Sequence, residues 1–174
     1  MRAAVLLFWL ALVVPVAQSA DWLAWRKVGD ATLTWGPFTV YTSQLRTPDG
    51  RYSGENQDQA LIITYARDID RGELVEATRD QWQAQGILAQ EPQSEAWLRM
   101  LESLWPDVRP GSQLAFVLNN KQGQFWYREP TTQKTFIPLG SRQSEAFSTR
   151  FLAIWLDPRT QYPELRQQLI GGQK

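Results

Sequence analysis

Between residues 25 and 47 the apolar positions follow a strand-like spacing. Val28, Ala31 and Leu33 lead to Trp35-Gly36-Pro37, and Phe38, Val40 and Leu45 follow. β-Branched and aromatic residues dominate on both sides of that Gly-Pro punctuation, which predicts a hairpin. Pro48-Asp49-Gly50 closes it with turn chemistry, and the polar run Ser53 to Gln59 predicts a loop. Ala60-Leu61-Ile62-Ile63-Thr64-Tyr65 is a short apolar run with the composition of a buried strand. The period then changes. Leu74, Val75, Thr78 and Trp82 recur at helical spacing, with Asp68 or Asp70 as N-cap and Gly86 where a left-handed residue ends a helix. A second helix is predicted from Gln93 to Trp105, with Trp97, Leu98, Leu101, Leu104 and Trp105 on one side and Pro106 as its stop.

After Gly111 the strand pattern returns. Leu114, Phe116 and Leu118 alternate, Asn119 to Gly123 supplies a hairpin turn, and Gln124 to Arg128 puts Phe125 and Tyr127 on one face and Trp126 on the other. A third short strand is predicted over Thr135 to Leu139. The chain ends in helix, with Ser141 or Ser144 as cap, then Phe147, Phe151, Ile154 and Trp155, a break at Asp157-Pro158, and a short helix opened by Pro163. This order predicts one α+β domain over residues 21–174, a large antiparallel sheet with helices packed on one face.

The first twenty residues have a different character. Arg2 precedes an apolar run from Ala3 to Val14, Pro15 breaks it, and Ala17-Gln18-Ser19-Ala20 offers small residues for cleavage. That is the layout of a secretory signal peptide over residues 1–20, and the run is shorter than the roughly 20 residues a membrane-spanning helix needs. The expectation is export to the periplasm with no membrane span after cleavage.

Composition removes much chemistry. The 174 residues include no His and no Cys. Ser-His-Asp and Cys-His catalysis, disulfides, zinc-thiolate sites and His-ligated haem are thereby excluded. Acid–base work falls to carboxylates, Tyr, Lys and water. The pairs Asp68 with Asp70 and Glu73 with Glu76 read as acids at a helix start, where the dipole favours them, and no metal site is expected. Lys plus Arg and Asp plus Glu both number 18, with no basic cluster, so no nucleic-acid partner is expected. No cofactor is expected either.

Several segments together resemble one family. These are Val28-Gly29-Asp30-Ala31-Thr32-Leu33, Phe38-Thr39-Val40-Tyr41 with Leu45, Ile63-Thr64-Tyr65-Ala66-Arg67-Asp68-Ile69 leading to Leu74 and Trp82, Pro110-Gly111-Ser112-Gln113-Leu114, and Ile154-Trp155-Leu156-Asp157-Pro158-Arg159-Thr160 followed by Leu165 and Leu169-Ile170-Gly171. In that order they resemble the bacterial chalcone-isomerase-like family. The resemblance implies an open-faced sandwich, a large antiparallel sheet wrapped by helices with an apolar cleft between the layers. Chalcone isomerases hold their substrate with an Arg before the hairpin turn, a Thr on the next strand, and a Tyr and an Asn from a later helical region. Here Tyr41 falls near the Thr, Gly29 falls near the Arg with Arg26 and Lys27 two or three residues away, and the segment from Gln93 to Val108 has neither Tyr nor Asn. The resemblance therefore implies the non-catalytic branch. Its fatty-acid-binding relatives hold a carboxylate with an Arg and a Tyr on that hairpin, and Val40-Tyr41 matches the Tyr.

The residues themselves suggest where a ligand would sit. Eight Trp lie beyond residue 20: Trp22, Trp25, Trp35, Trp82, Trp97, Trp105, Trp126 and Trp155. Trp suits both an aromatic core and a pocket for a flat or long apolar molecule. Trp82, Trp97, Trp105 and Trp155 fall on apolar helix faces and read as core, whereas Trp126 reads as cleft lining or surface. Tyr41 with Arg26 and Lys27 would bind a carboxylate by charge-assisted hydrogen bonds. Tyr65 and Arg67 share a strand face and could reach the same ligand end, but the favoured reading is a local ion pair of Arg67 with Asp68 or Asp70 at the helix start. Arg159 reads as capping the end of the preceding helix. The expected function is non-catalytic binding of a small apolar or amphipathic ligand, a fatty acid among the candidates. The alternatives are a cell-envelope interaction module with a protein partner and, behind it, an isomerase.

Overall fold

A computed structural model describes residues 20–129, 131 and 135–172, so the leader expected over residues 1–20 lies outside them except for Ala20. Six strands form one antiparallel meander in sequence order: β1 (Arg26–Trp35), β2 (Phe38–Thr47), β3 (Gln59–Tyr65), β4 (Gln113–Asn119), β5 (Gln122–Arg128) and β6 (Ile137–Gln143). Helices α1 (Arg71–Ala84), α2 (Ile87–Gln90) and α3 (Ser94–Leu104) connect β3 to β4, and α4 (Glu145–Leu156) and α5 (Pro163–Leu169) follow β6. The expected α+β architecture, a large antiparallel sheet with helices on one face, is the observed one.

Local chemistry accounts for most of the element ends. The β1–β2 turn contains Gly36 at φ 57°. Asn120 and Lys121 both adopt positive φ, 50° and 65°, as a tight primed turn between β4 and β5 requires. Gly86 at φ 75° ends the first helical run, but the chain resumes at once as the single turn α2, which no apolar period announces. The side chain of Ser144 accepts a hydrogen bond from the Phe147 N–H, so it, and not Ser141, caps α4. The last strand lies two to four residues later than its predicted span.

The sheet is apolar on both faces at its centre. On the helix side Leu45, Leu61, Ile63, Leu114, Phe116 and Phe125 meet α1, α3 and α4 in one large core. On the other side Ala60, Ile62, Ala115, Val117 and Trp126 form a smaller cluster capped by Trp22, from the 3-10 helix Asp21–Ala24, and by Phe136. This two-sided burial is why β3 reads as an unbroken apolar run, and why the positions between Leu114, Phe116 and Leu118 on β4 are the apolar Ala115 and Val117 and not polar residues.

Two ties fix the helices that matter for the site. Trp82 of α1 is fully buried and donates its indole N–H to the Arg150 carbonyl at 3.0 Å, while Gln85 donates to the Ala153 carbonyl at 2.8 Å, locking α1 to α4. The end of α4 is closed by Thr160, whose hydroxyl donates to the Ile154 carbonyl, and by Arg166, whose Nε donates to the Leu156 carbonyl, each at 2.6 Å. Arg159 instead binds the Asp157 carboxylate at 3.1 and 3.2 Å, so the carbonyl-capping role expected of it belongs to Arg166. Helix α5 lies against β1 at Gly29, where a β-bulge interrupts the register and a Cβ would overlap the Gln168 carbonyl oxygen.

Candidate functional site: an apolar cavity under the helices

Between the sheet and helices α1 and α4 lies a cavity of about 280 Å³. Leu61, Ile63, Leu114, Phe116 and Phe125 form its sheet wall, and Phe151, Ile154 and Trp155 of α4 with Leu74 and Thr78 of α1 form its roof. Trp105, just after α3, closes one side. An apolar cavity of roughly 150 Å³ in a protein core already accepts benzene. The space here suits a molecule with one or two rings or a medium-length chain.

Two phenols supply polarity at one end. Tyr41 and Tyr65 are direct cross-strand neighbours on β2 and β3, and their rings meet edge to face with centroids 6.2 Å apart. The Trp155 indole N–H donates to the Tyr41 hydroxyl oxygen at 3.0 Å, which uses the oxygen and leaves the phenolic proton without an acceptor among the described residues. The Tyr65 hydroxyl makes no hydrogen bond to a described residue. Burial disfavours the phenolate of both: it pushes the Tyr41 pKa up to about 12 and raises that of Tyr65 further. Both are therefore hydroxyl donors at neutral pH. At the rim are Leu33, Val40 and Ile69, the exposed carboxylates of Glu73 and Asp80, and Gln81, whose side-chain N–H donates to the Tyr162 hydroxyl at 3.2 Å. Among the described residues no Lys or Arg lines the cavity.

This arrangement brings two of the expected site residues together and leaves the other four away from them. Tyr41 and Tyr65 are brought together on the cavity wall. Arg26 and Lys27 are not: Arg26 pairs with Thr47 and Tyr41 with Leu33, six residues apart along β2. At about 3.4 Å per residue that is roughly 20 Å, and Lys27 is engaged with Asp30 at 2.7 Å. Arg67 lies past the end of β3, exposed, with its guanidinium 5.6 Å from the Phe38 ring centroid, so neither the shared site with Tyr65 nor the ion pair with Asp68 or Asp70 is formed among the described residues. Trp126 faces the other side of the sheet and is neither cleft lining nor surface, being 4% exposed and packed against Trp22 and Phe136. Conversely, Trp105 and Trp155 combine core burial with cavity lining, and Thr78, Gln81 and Tyr162 join them from positions whose local pattern distinguishes them in no way from ordinary helix and loop residues. Among the described residues no group of acidic side chains is placed to hold a metal ion.

No family model matches the chain. A protein of Haemophilus influenzae described as uncharacterized is 26% identical over 157 residues, which cover 90% of this chain and 73% of that protein.

Proposed function

We propose that this protein is an exported, non-catalytic binding protein of the chalcone-isomerase-like kind that holds a small apolar or amphipathic molecule in the cavity beneath α1 and α4. The observation that carries this reading is a space of about 280 Å³ inside an otherwise densely packed aromatic core. The space opens to solvent at its rim, and a concave, mostly apolar recess with a few convergent polar groups is the usual form of a small-molecule site. The non-catalytic part is supported by the lining itself: its buried titratable groups are two phenols that burial keeps protonated, with no nucleophile–base pair between them. A fatty acid would have to be held by those phenols alone.

The test is titration with a neutral apolar dye such as phenylnaphthylamine, reading energy transfer from Trp105 and Trp155. A single saturable site, together with a small molecule released on denaturing protein taken from its own envelope, supports the reading. The absence of a saturable response to any apolar probe removes it.

A second reading, an interaction module of the cell envelope, rests on the tip of the β1–β2 hairpin. Trp35 and Phe38 are 74% and 62% exposed there, far beyond the other large apolar side chains among the described residues. A cross-linked partner lost on replacing both by Ser would support it.

A further inference from the structure

The charge pattern of the cavity narrows the ligand further, on the premise that the binding reading above holds. We infer that the cavity selects molecules whose apolar body ends in an uncharged oxygen acceptor, an alcohol or a carbonyl, and discriminates against carboxylates of the same length.

Three features combine. First, among the described residues no cation lines the cavity: Lys27 is engaged with Asp30, Arg67 lies over Phe38, Arg79 binds Glu95 at 2.6 Å, Arg46 donates to the Gln44 side chain and the Leu23 carbonyl, Arg26 sits at the far end of β1, and Arg71, exposed at the start of α1, is not part of the lining. A carboxylate moved into an apolar pocket without a cation loses its hydration and gains no ion pair in return. Second, the charges that do face the rim are those of Glu73 and Asp80, about two turns apart on α1. They repel an anion at the entrance and leave a neutral molecule unaffected. Third, two hydroxyl protons are unspent. The Trp155 N–H occupies the Tyr41 oxygen, so Tyr41 presents a proton, and a hydroxyl whose oxygen already accepts a bond is the stronger donor. Tyr65 beside it has no partner among the described residues. A neutral oxygen carries two lone pairs and can accept from both.

Tyr65→Phe retains the ring and its packing and deletes one of these donors. Tyr41→Phe deletes the other and also leaves the Trp155 N–H without an acceptor. The two variants therefore differ in stability but agree in what they remove from a ligand.

The experiment compares octane, octanol, octanone and octanoate as probes on the full chain at neutral pH, by competition against the dye, with folding of each variant checked by circular dichroism. Octanol and octanone should bind about tenfold more tightly than octane and octanoate, as one to two buried neutral hydrogen bonds imply. Tyr65→Phe should bring them down toward octane while octane itself is unchanged. Octanoate binding as tightly as octanol, or octanol and octane binding equally, overturns the inference and leaves the cavity a general apolar site. Failure of all four probes, octane included, overturns the binding reading beneath it as well.

Discussion

Replacing Tyr41 by Phe isolates one hydrogen bond and one titration in a single methodical change. The ring, its edge-to-face contact with Tyr65 and its place on β2 are kept, and only the hydroxyl that accepts the Trp155 N–H at 3.0 Å is lost. A buried donor stripped of its partner costs about 1 to 3 kcal/mol, with the low end reached if water enters the adjoining cavity. The same hydroxyl carries a pH term of opposite sign. Its pKa rises from 10.0 to about 12 on folding, because burial disfavours the phenolate. A folded pKa above the unfolded one means that stability is whole below pH 10 and is lost as pH rises toward 12. Each pH unit in that window removes about 1.4 kcal/mol from the wild-type protein and nothing from the variant. The gap between the two should therefore stand at about 1 to 3 kcal/mol at pH 8 and shrink by about 1.4 kcal/mol at pH 11. Urea unfolding followed by far-ultraviolet circular dichroism at both pH values measures it, and alkaline effects at groups not coupled to Tyr41 cancel in the difference. A gap that does not change with pH would show that Tyr41 ionises as it does in solvent. No gap at pH 8 would show that Trp155 does not depend on it.

Three further outcomes follow from the packing. Ile63→Phe pushes an aromatic ring into the cavity from its sheet wall, so dye affinity should fall by more than about tenfold while stability stays within about 1.5 kcal/mol of wild type, since the added volume meets empty space; equal loss of both would mean the space is not there. Gly29→Ala places a methyl group against the carbonyls of Gln168 and Leu169, and should lower stability by about 1 to 3 kcal/mol, with faster amide exchange in α5 than in α4; unchanged exchange would place α5 away from β1. Trp35→Ser with Phe38→Ser alters side chains that are mostly in solvent, so the melting profile should move by less than about 0.5 kcal/mol equivalent, and a large loss would mean that the hairpin tip is buried.

The elements and turns were legible because they are local. Gly36, the Asn120-Lys121 turn, Gly86 and Pro163 act through their own backbone preferences, and the change of apolar period between Tyr65 and Leu74 marks the passage from sheet to helix within a few residues. The single turn α2 was not legible, because four residues are too few to show a helical period. The pairing of Arg67 with Asp68 or Asp70 followed from sequence proximity alone, and the β3 exit instead directs the guanidinium onto Phe38 across the hairpin.

What the chain by itself determined is the inventory: an α+β order of strands and helices, a protein without His or Cys chemistry, and Tyr41 and Tyr65 as phenols carried on neighbouring strands. Strand register and layer spacing decided the rest. Register separates Arg26 from Tyr41 by the six residues between Thr47 and Tyr41 while seating Tyr65 directly across from it, a pairing that no spacing along the chain encodes. Layer spacing leaves Trp105 and Trp155 on a cavity, and the packing of Trp22 and Phe136 over the far side of the sheet buries Trp126, whose opposite face the strand alternation already gave. A cavity is a place where atoms from distant segments fail to meet, so it leaves no mark on the hydrophobic pattern of any one of them.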